Sequence, residues 1–124
     1  MESRLDASLA STLDVLAWEV ELAGARSIFL DSVIGEMMKV IPETDQGRFV
    51  EAMHTVDLLS QQLTSLSAFT RRLSSVAPTG SSVAVGEALG DITLGALADR
   101  MASALGAEER GINERDEAGD LDLF

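Results

Sequence analysis

Three polar side chains near the middle of the chain have the spacing of a single helix face. Asp57 and Gln61 are four residues apart, and His54 lies three residues before Asp57. Residues three and four apart stand one turn above each other on an α-helix, so a helix here would display a carboxylate, an amide and an imidazole together. A carboxylate accepts hydrogen bonds, and an amide both donates and accepts them. Most Asp-x-x-x-Gln pairs belong to an ordinary solvated helix surface, so the surrounding elements decide whether this one does chemistry.

The composition removes several kinds of site. The chain has 124 residues, the length of one domain, with no cysteine and with His54 as its single histidine. Cysteine-ligated metals, disulfide frameworks and multi-histidine metal sites are therefore excluded. A hydrolase with a Ser-His-Asp triad would have to use His54. The sequence predicts no metal site and no cofactor bound by the chain itself.

The charge balance is strongly acidic, with 21 acidic and nine basic residues and a formal net charge of −12. Nucleic-acid binding is not expected because it needs a basic face, and an acidic protein prefers partners that carry a positive patch. No stretch approaches the roughly 18 apolar residues that a membrane span needs, and the N-terminus lacks the pattern of a secretory signal. The sequence therefore predicts a cytoplasmic protein that binds neither nucleic acid nor membrane.

Two prolines, Pro42 and Pro78, divide the chain into helical segments. Apolar or small residues recur in steps of three and four over residues 3–41 and again over 46–76, which predicts two long helices. The short turn after Pro42 would join them as an antiparallel hairpin. The seam predicted for the first helix is Leu9, Leu13, Leu16, Val20, Ala23, Ser27, Leu30, Ile34, Met37 and Ile41, and that for the second is Ala52, Val56, Leu59, Leu63, Leu66, Thr70 and Leu73.

The hairpin, residues 1–77, carries more apolar surface than it can bury alone. Its first helix has a second apolar stripe beside the seam, and such a helix must bury a broad face. Either a third helix covers the hairpin or two hairpins pair, and the shortness of the third helix favours pairing. The predicted fold class is all-α, a long antiparallel helical hairpin that pairs as a homodimeric four-helix bundle. The second stripe is Val15, Trp18, Leu22, Ala25, Phe29 and Val33.

The rest of the chain divides into a linker with a short accessory helix, residues 78–105, and an acidic tail, residues 106–124. Asp91 is the predicted cap of the accessory helix. The tail has seven acidic and two basic residues and ends in the apolar pair Leu123-Phe124. We expect this tail to be flexible, since a charged stretch of this kind does not build a core.

The hairpin, the Asp-x-x-x-Gln pair on its second helix and the acidic C-terminus together resemble the CheZ family of chemotaxis phosphatases. Members of that family commonly carry the pair inside Asp-Leu-Thr-Gly-Gln, and here the stretch is Asp57-Leu58-Leu59-Ser60-Gln61. Their C-terminal peptide is acidic and ends in Phe, and here the last nine residues are DEAGDLDLF. The resemblance covers residues 3–77 and these last nine, and the short chain is most similar to reduced CheZ-like proteins such as CheT.

The resemblance implies both a fold and an activity. CheZ-like proteins are homodimeric four-helix bundles that accelerate hydrolysis of the aspartyl phosphate on the response regulator CheY. By this resemblance, Gln61 orients the attacking water and Asp57 pairs with the receiver lysine, while the Mg²⁺ ion is supplied by the bound receiver domain. The C-terminal peptide would dock on the receiver and raise its local concentration near the site. The residues carried over to that peptide are Asp120, Leu121, Asp122, Leu123 and Phe124.

Two other classes of function remain open. In a histidine phosphotransfer or degenerate kinase dimerisation protein, His54 would be the phosphoacceptor, but the lysine and small residues that usually follow such a histidine are missing here. A non-enzymatic adaptor would bind its partner through the C-terminal DLDLF peptide, which also resembles peptides that bind the bacterial DNA sliding clamp. Residues 81–105 either cap the bundle or bind another chemotaxis protein.

Overall fold

The computed structural model describes residues 5–110, and most of them are helical. Two long helices dominate, and two short strands and two further helices accompany them. None of the helices in this range is both long and apolar enough to cross a membrane. The elements in chain order are strand β1 (Asp6–Ser8), helix α1 (Leu9–Met37), a 3-10 turn (Glu43–Asp45), helix α2 (Gln46–Val76), strand β2 (Ser82–Ala84), helix α3 (Gly86–Leu89) and helix α4 (Gly95–Arg110).

The prediction of two long helices that pack together is confirmed, although α1 is shorter than the sequence pattern suggested. α1 begins at Leu9 because the hydroxyl oxygen of Ser8 accepts a hydrogen bond from the Ser11 amide at 3.0 Å. A serine in this position satisfies one of the amides that the first turn of a helix leaves unpaired. α1 ends at Met37, a few residues before the proline that stops the pattern, and α2 has its predicted bounds.

The expectation of an all-α fold is corrected in one respect, because β1 and β2 form a two-stranded antiparallel sheet. Asp6 pairs with Ala84, and Ser8 pairs with Ser82. Each strand is three residues long, which is too short for the alternation of polar and apolar residues that reveals a strand in a sequence. The accessory helix predicted to begin at Asp91 and to end at Gly106 corresponds to α4, which begins later, at Gly95, and continues to Arg110, so Asp91 does not cap it. The four-residue α3 precedes it and was not predicted.

The chain forms two compact units, one made of residues 5–16 and 72–110 and the other of residues 17–71. The first unit is built around the sheet. Within it the Ser74 hydroxyl donates a hydrogen bond to the Ala10 carbonyl at 2.8 Å, which fastens the last turns of α2 to the first turns of α1. The buried core of this unit consists of Ala7, Val85 and Leu105, with Leu5, Val15, Val83 and Leu89 packed against it.

Residues 17–71 form the helical hairpin, and small side chains line the seam between its helices. The Ser67 hydroxyl donates a hydrogen bond to the Ala17 carbonyl at 3.0 Å. A Cβ atom on Gly24 would lie 3.5 Å from the Cβ atom of Leu63, so the two backbones approach closely there. The buried residues of this seam are Ala17, Gly24 and Ser27 on α1 and Ser60, Ser67 and Thr70 on α2.

This seam confirms part of the predicted one, since Ser27 and Thr70 are buried, but it differs from the prediction at the leucines of α2. Leu59 and Leu66 are 44% and 53% exposed, whereas Ser60 and Ser67, each one residue further along, are buried. Small side chains let the helices approach until a serine hydroxyl reaches a backbone carbonyl of the other helix. The leucines then lie beside the seam, and the hairpin alone leaves them uncovered.

Gly24 provides a test of how closely the helices pack. Gly24→Ala is expected to raise the free energy of unfolding by about 0.5–1 kcal/mol, because the methyl group fits at ordinary contact distance and alanine is the better helix former. Gly24→Leu is expected to lower it by about 1–3 kcal/mol, because the larger side chain forces the helices apart. Urea unfolding followed by circular dichroism measures both changes.

Gly35 is the matched control for this test, since it lies on the same helix and a Cβ atom there would meet nothing within 4 Å. Gly35→Leu should therefore not destabilise the protein. If Gly35→Leu and Gly24→Leu lowered the free energy of unfolding equally, close packing at Gly24 would not be the cause.

Candidate functional site

The Asp57 and Gln61 side chains meet on the outer surface of α2. The Nε2 atom of Gln61 donates a hydrogen bond to the Oδ2 atom of Asp57 at 3.0 Å, and both residues are exposed. The bond spans one helical turn, as the four-residue spacing predicts. The structure therefore brings together the carboxylate and the amide that the sequence singled out.

The hairpin seam determines which way this pair faces. Ser60, which stands between the two residues in sequence, is buried. At about 100° per residue, Asp57 and Gln61 are rotated from Ser60 by about 60° and about 100° around the helix axis. The serine side chain, which occupies the position of a glycine in the CheZ-like pattern, is thus turned inward. It does not stand between the pair and an approaching partner.

His54 lies on the same side of α2, one turn before Asp57, and it is exposed. The three-residue spacing places it about 60° around the helix axis from Asp57. An imidazole in this position is accessible to a phosphoryl donor from solution, so its placement is compatible with the alternative role of phosphoacceptor. A functional test must therefore separate a role for His54 from one for the Asp57–Gln61 pair.

A stripe of apolar residues, which we call the apolar stripe, runs along a different side of the hairpin. It comprises Leu30 and Met37 on α1 and Leu59 and Leu66 on α2, which are between 44% and 53% exposed. Within each helix the two residues are seven apart, the spacing of a continuous packing edge. Leu66 is rotated from Asp57 by about 180° around α2, so the apolar stripe and the pair face in different directions.

The seam and the stripe can be placed relative to each other through one ion pair. Arg71 Nη2 lies 2.6 Å from Glu21 Oε1, and Arg71 follows Asp57 by two seven-residue repeats on α2. The ion pair therefore marks the side of the hairpin on which Asp57 lies. On α2 the stripe residues Leu59 and Leu66 come directly before the buried Ser60 and Ser67. On α1, Leu30 comes directly before residue 31, which continues the seven-residue repeat of the buried Ala17 and Gly24. In an antiparallel hairpin this places the stripe on the side away from the ion pair.

Sequence reasoning missed one polar group in the seam, the carboxylate of Asp31. Its Oδ1 atom is buried and has no hydrogen-bond partner among the described residues. Asp31 continues the seven-residue repeat of Ala17 and Gly24, and that repeat was the signal available in the sequence. A buried carboxylate oxygen needs a hydrogen-bond donor, from water or from protein, to offset its lost hydration.

The hairpin also has a groove, which lies apart from the Asp57–Gln61 pair. A groove of about 500 Å³ lies near the turn between the helices, and neither Asp57 nor Gln61 lines it. Within residues 5–110, no three acidic or histidine side chains come together as a group that could hold a metal ion. The residues that line the groove are Ile34, Asp45, Arg48, Phe49 and Ala52.

The predicted docking peptide lies outside the residues that the structure describes. Its residues are Asp120, Leu121, Asp122, Leu123 and Phe124, and their role as a partner-binding segment stays a prediction.

The chain belongs to the family described as Domain of unknown function (DUF8776), which matches residues 6–124. No curated protein and no solved structure matches the chain. The family match includes the hairpin, the Asp57–Gln61 pair and the acidic tail. Because the family description assigns no activity, the function has to be argued from the site itself.

Proposed function

We propose that this protein is a phosphatase that accelerates hydrolysis of the aspartyl phosphate on a CheY-like response regulator. The observation that carries the proposal is the exposed Asp57–Gln61 pair, joined at 3.0 Å on a helix of 31 residues. A carboxylate and an amide presented on a rigid rod can enter the active site of another protein. A receiver substrate also implies that the protein works in the cytoplasm.

Gln61 has the properties needed to orient the attacking water. Its amide adds no charge beside an anionic phosphoryl group, and its carbonyl oxygen can accept a hydrogen bond from water. The water oxygen attacks phosphorus, and the bond between phosphorus and the receiver's aspartyl oxygen breaks. The products are inorganic phosphate, which keeps both protons of the water, and the free receiver carboxylate. Such a transfer depends mainly on positioning and charge stabilisation, so one well-placed amide can accelerate it.

Asp57 has the charge to bind the receiver's active-site lysine. An exposed carboxylate on a helix pairs readily with an ammonium group, and the pair becomes stronger once a partner excludes water. In the proposed complex the receiver supplies the Mg²⁺ ion and the lysine, and this chain supplies Asp57 and Gln61. Because the receiver supplies the metal ion and the cationic group, a chain with one histidine and no cysteine could still accelerate a phosphoryl transfer.

The proposal includes a homodimer in which two hairpins form a four-helix bundle. The support is the apolar stripe, because its four large apolar side chains are 44–53% exposed and a second copy would remove them from water. A second hairpin offers the same stripe, and the seven-residue spacing on both helices suits helix-on-helix packing. Since Asp57 faces away from the stripe, both copies would keep their pair open to a receiver.

The experiment that tests the proposed activity follows labelled phosphate from a candidate receiver domain. The receiver is phosphorylated with radiolabelled phosphate, mixed with this protein, and sampled for free phosphate and for protein-bound label. The phosphatase proposal predicts faster release of inorganic phosphate, with no label on this protein. Acid-labile label that appears on this protein and is lost in His54→Ala would instead establish the phosphotransfer function.

The same experiment separates the phosphatase from the adaptor. An adaptor would bind the receiver, or another partner, through the C-terminal DLDLF peptide and would leave the rate of phosphate loss unchanged. Recovery of the sliding clamp and of no receiver domain by a peptide of the last nine residues would favour the adaptor.

A further inference from the structure

We infer that Asp57 is also a positioning residue, which holds the Gln61 amide so that its carbonyl oxygen faces outward as the acceptor for the attacking water. The inference rests on the proposed function and extends it, because it gives Asp57 a task before any partner binds. It is carried by one contact, in which Gln61 Nε2 donates to Asp57 Oδ2 at 3.0 Å.

The direction of this hydrogen bond sets the preferred orientation of the amide. A glutamine side chain on a helix surface can present either its NH₂ group or its carbonyl oxygen to an approaching group, and the two orientations have nearly the same shape. An ionised carboxylate accepts hydrogen bonds and cannot donate them, so only the NH₂ group of Gln61 can bond to Asp57. The Oε1 atom of Gln61 is then directed away from Asp57. A flipped amide would set its oxygen against the carboxylate oxygens.

The carboxylate has the capacity for both of its roles at once. Gln61 occupies one lone-pair site on Oδ2, and an ionised carboxylate has about four such sites on its two oxygens. Oδ1 of Asp57 can therefore accept from an incoming ammonium group while Oδ2 keeps its bond to Gln61. Both acceptors are therefore in place before the receiver binds: the Gln61 oxygen for a water molecule and the Asp57 carboxylate for an ammonium group. Less conformational entropy is then lost when the complex forms.

Exposure limits the size of this effect. Bonds between Asp and Gln four residues apart stabilise isolated helices weakly, which corresponds to about a twofold preference for the bonded orientation. We therefore expect the hold of Asp57 on Gln61 to contribute about a twofold factor to kcat, separate from the contribution of Asp57 to binding the receiver.

Nuclear magnetic resonance of the side-chain amides of the free, full-length protein tests the orientation directly. The Nε2 proton resonances of Gln61 should shift in Asp57→Ala and should return most of the way in Asp57→Glu, which restores an acceptor of the same charge. Gln62 is the control within the same spectrum, because the residue four positions before it is Leu58, which has no acceptor on its side chain. Its resonances should stay in place in both variants.

Kinetics on a phosphorylated receiver complete the test. At saturating receiver, kcat of Asp57→Glu is expected to exceed kcat of Asp57→Ala by at least about twofold. Gln61 resonances that do not move in Asp57→Ala, or that move together with those of Gln62, overturn the inference. So does an equal kcat in the two variants. If the wild-type chain releases no phosphate from any receiver while Gln61 responds to Asp57→Ala, the proposed function fails and the hold on the amide stands.

Discussion

Gln61→Ala is expected to lower the rate of receiver dephosphorylation by at least about 100-fold, while the affinity for the receiver stays within about twofold of the wild type. Removing one preorganised donor from an oxyanion hole costs about 10²–10³ in kcat, and we expect a loss of similar size for an amide that orients the attacking water. The affinity is expected to survive because the substitution removes one exposed amide and leaves Asp57 in place to bind the lysine. Single-turnover phosphate release at saturating receiver measures the rate, and titration with unphosphorylated receiver measures the affinity.

Gln62→Ala is the matched control, since Gln62 is the same residue type, is also exposed and follows Gln61 directly on α2. It faces about 100° further around the helix, so its loss should change the rate by less than about twofold. A Gln61→Ala variant that keeps the wild-type rate would show that the amide does not orient the water. Equal losses in the two variants would point to damage to the helix and would count against a specific role for Gln61.

The long helices could be predicted because their signal is repeated many times. Steps of three and four residues continue through the 29 residues of α1 and the 31 residues of α2, and local exceptions do not hide them. The bounds depend on local chemistry instead. The start of α1 follows from the Ser8 hydroxyl, which caps the helix, whereas the apolar pattern alone extended the helix to residue 3.

The seam could be predicted only in part, at Ser27 and Thr70, because two stripes with the same seven-residue spacing run side by side along α2. Leu59 and Leu66 are more hydrophobic than Ser60 and Ser67, so the sequence pattern predicts that the leucines are the buried residues. The observed hairpin buries the serines, because close approach of two helices needs small side chains such as Gly24 opposite Leu63. Which stripe faces the neighbouring helix depends on backbone distance, and no single-residue property in the sequence reports that distance.

The Asp57–Gln61 contact was predictable for the opposite reason, since it depends on one helix only. A four-residue spacing brings the two side chains within reach wherever the helix forms, whatever the hairpin does. The exposure of the Asp57 and Gln61 side chains was harder to predict, because it also required the other helix to pack against a different side of α2. The burial of the Asp31 carboxylate oxygen was missed because an acidic residue is normally expected to face solvent. Only the packing of the two helices shows that it lies in the seam.

The double substitution Leu59→Asp and Leu66→Asp is expected to convert a homodimer, with twice the chain mass of 13.2 kDa, into single chains. Leu59 and Leu66 are 44% and 53% exposed in the single chain, so a dimer that buries the rest of each leucine gains about half of the roughly 1.5–3 kcal/mol for full burial. The proposed interface would contain two such leucines from each of two copies. The substitution also brings four carboxylates into an apolar contact, where an unpaired charge is costly. The dissociation constant is expected to rise at least about a thousandfold. Analytical ultracentrifugation over a range of concentrations measures the change.

Leu58→Asp is the matched control for the dimer interface. Leu58 is 56% exposed, close to the 53% of Leu66, and it precedes Leu59 on the same helix. It lies about 100° around α2 from Leu59, outside the apolar stripe. The control should therefore remain a dimer, and circular dichroism should show wild-type helix content in both variants, because all three leucines are exposed in the single chain.

The same double variant tests whether a single hairpin carries every residue that the proposed phosphatase site needs. If Asp57 and Gln61 act from one helix, single chains of the Leu59→Asp, Leu66→Asp variant should keep kcat within about twofold of the wild type, since the stripe is rotated by about 180° from the pair. A wild-type protein that sediments as a single chain would contradict the dimer, and so would a double variant that remains paired. Loss of the dimer in Leu58→Asp alone would move the interface to the side of α2 that carries the pair, where a second copy would compete with the receiver.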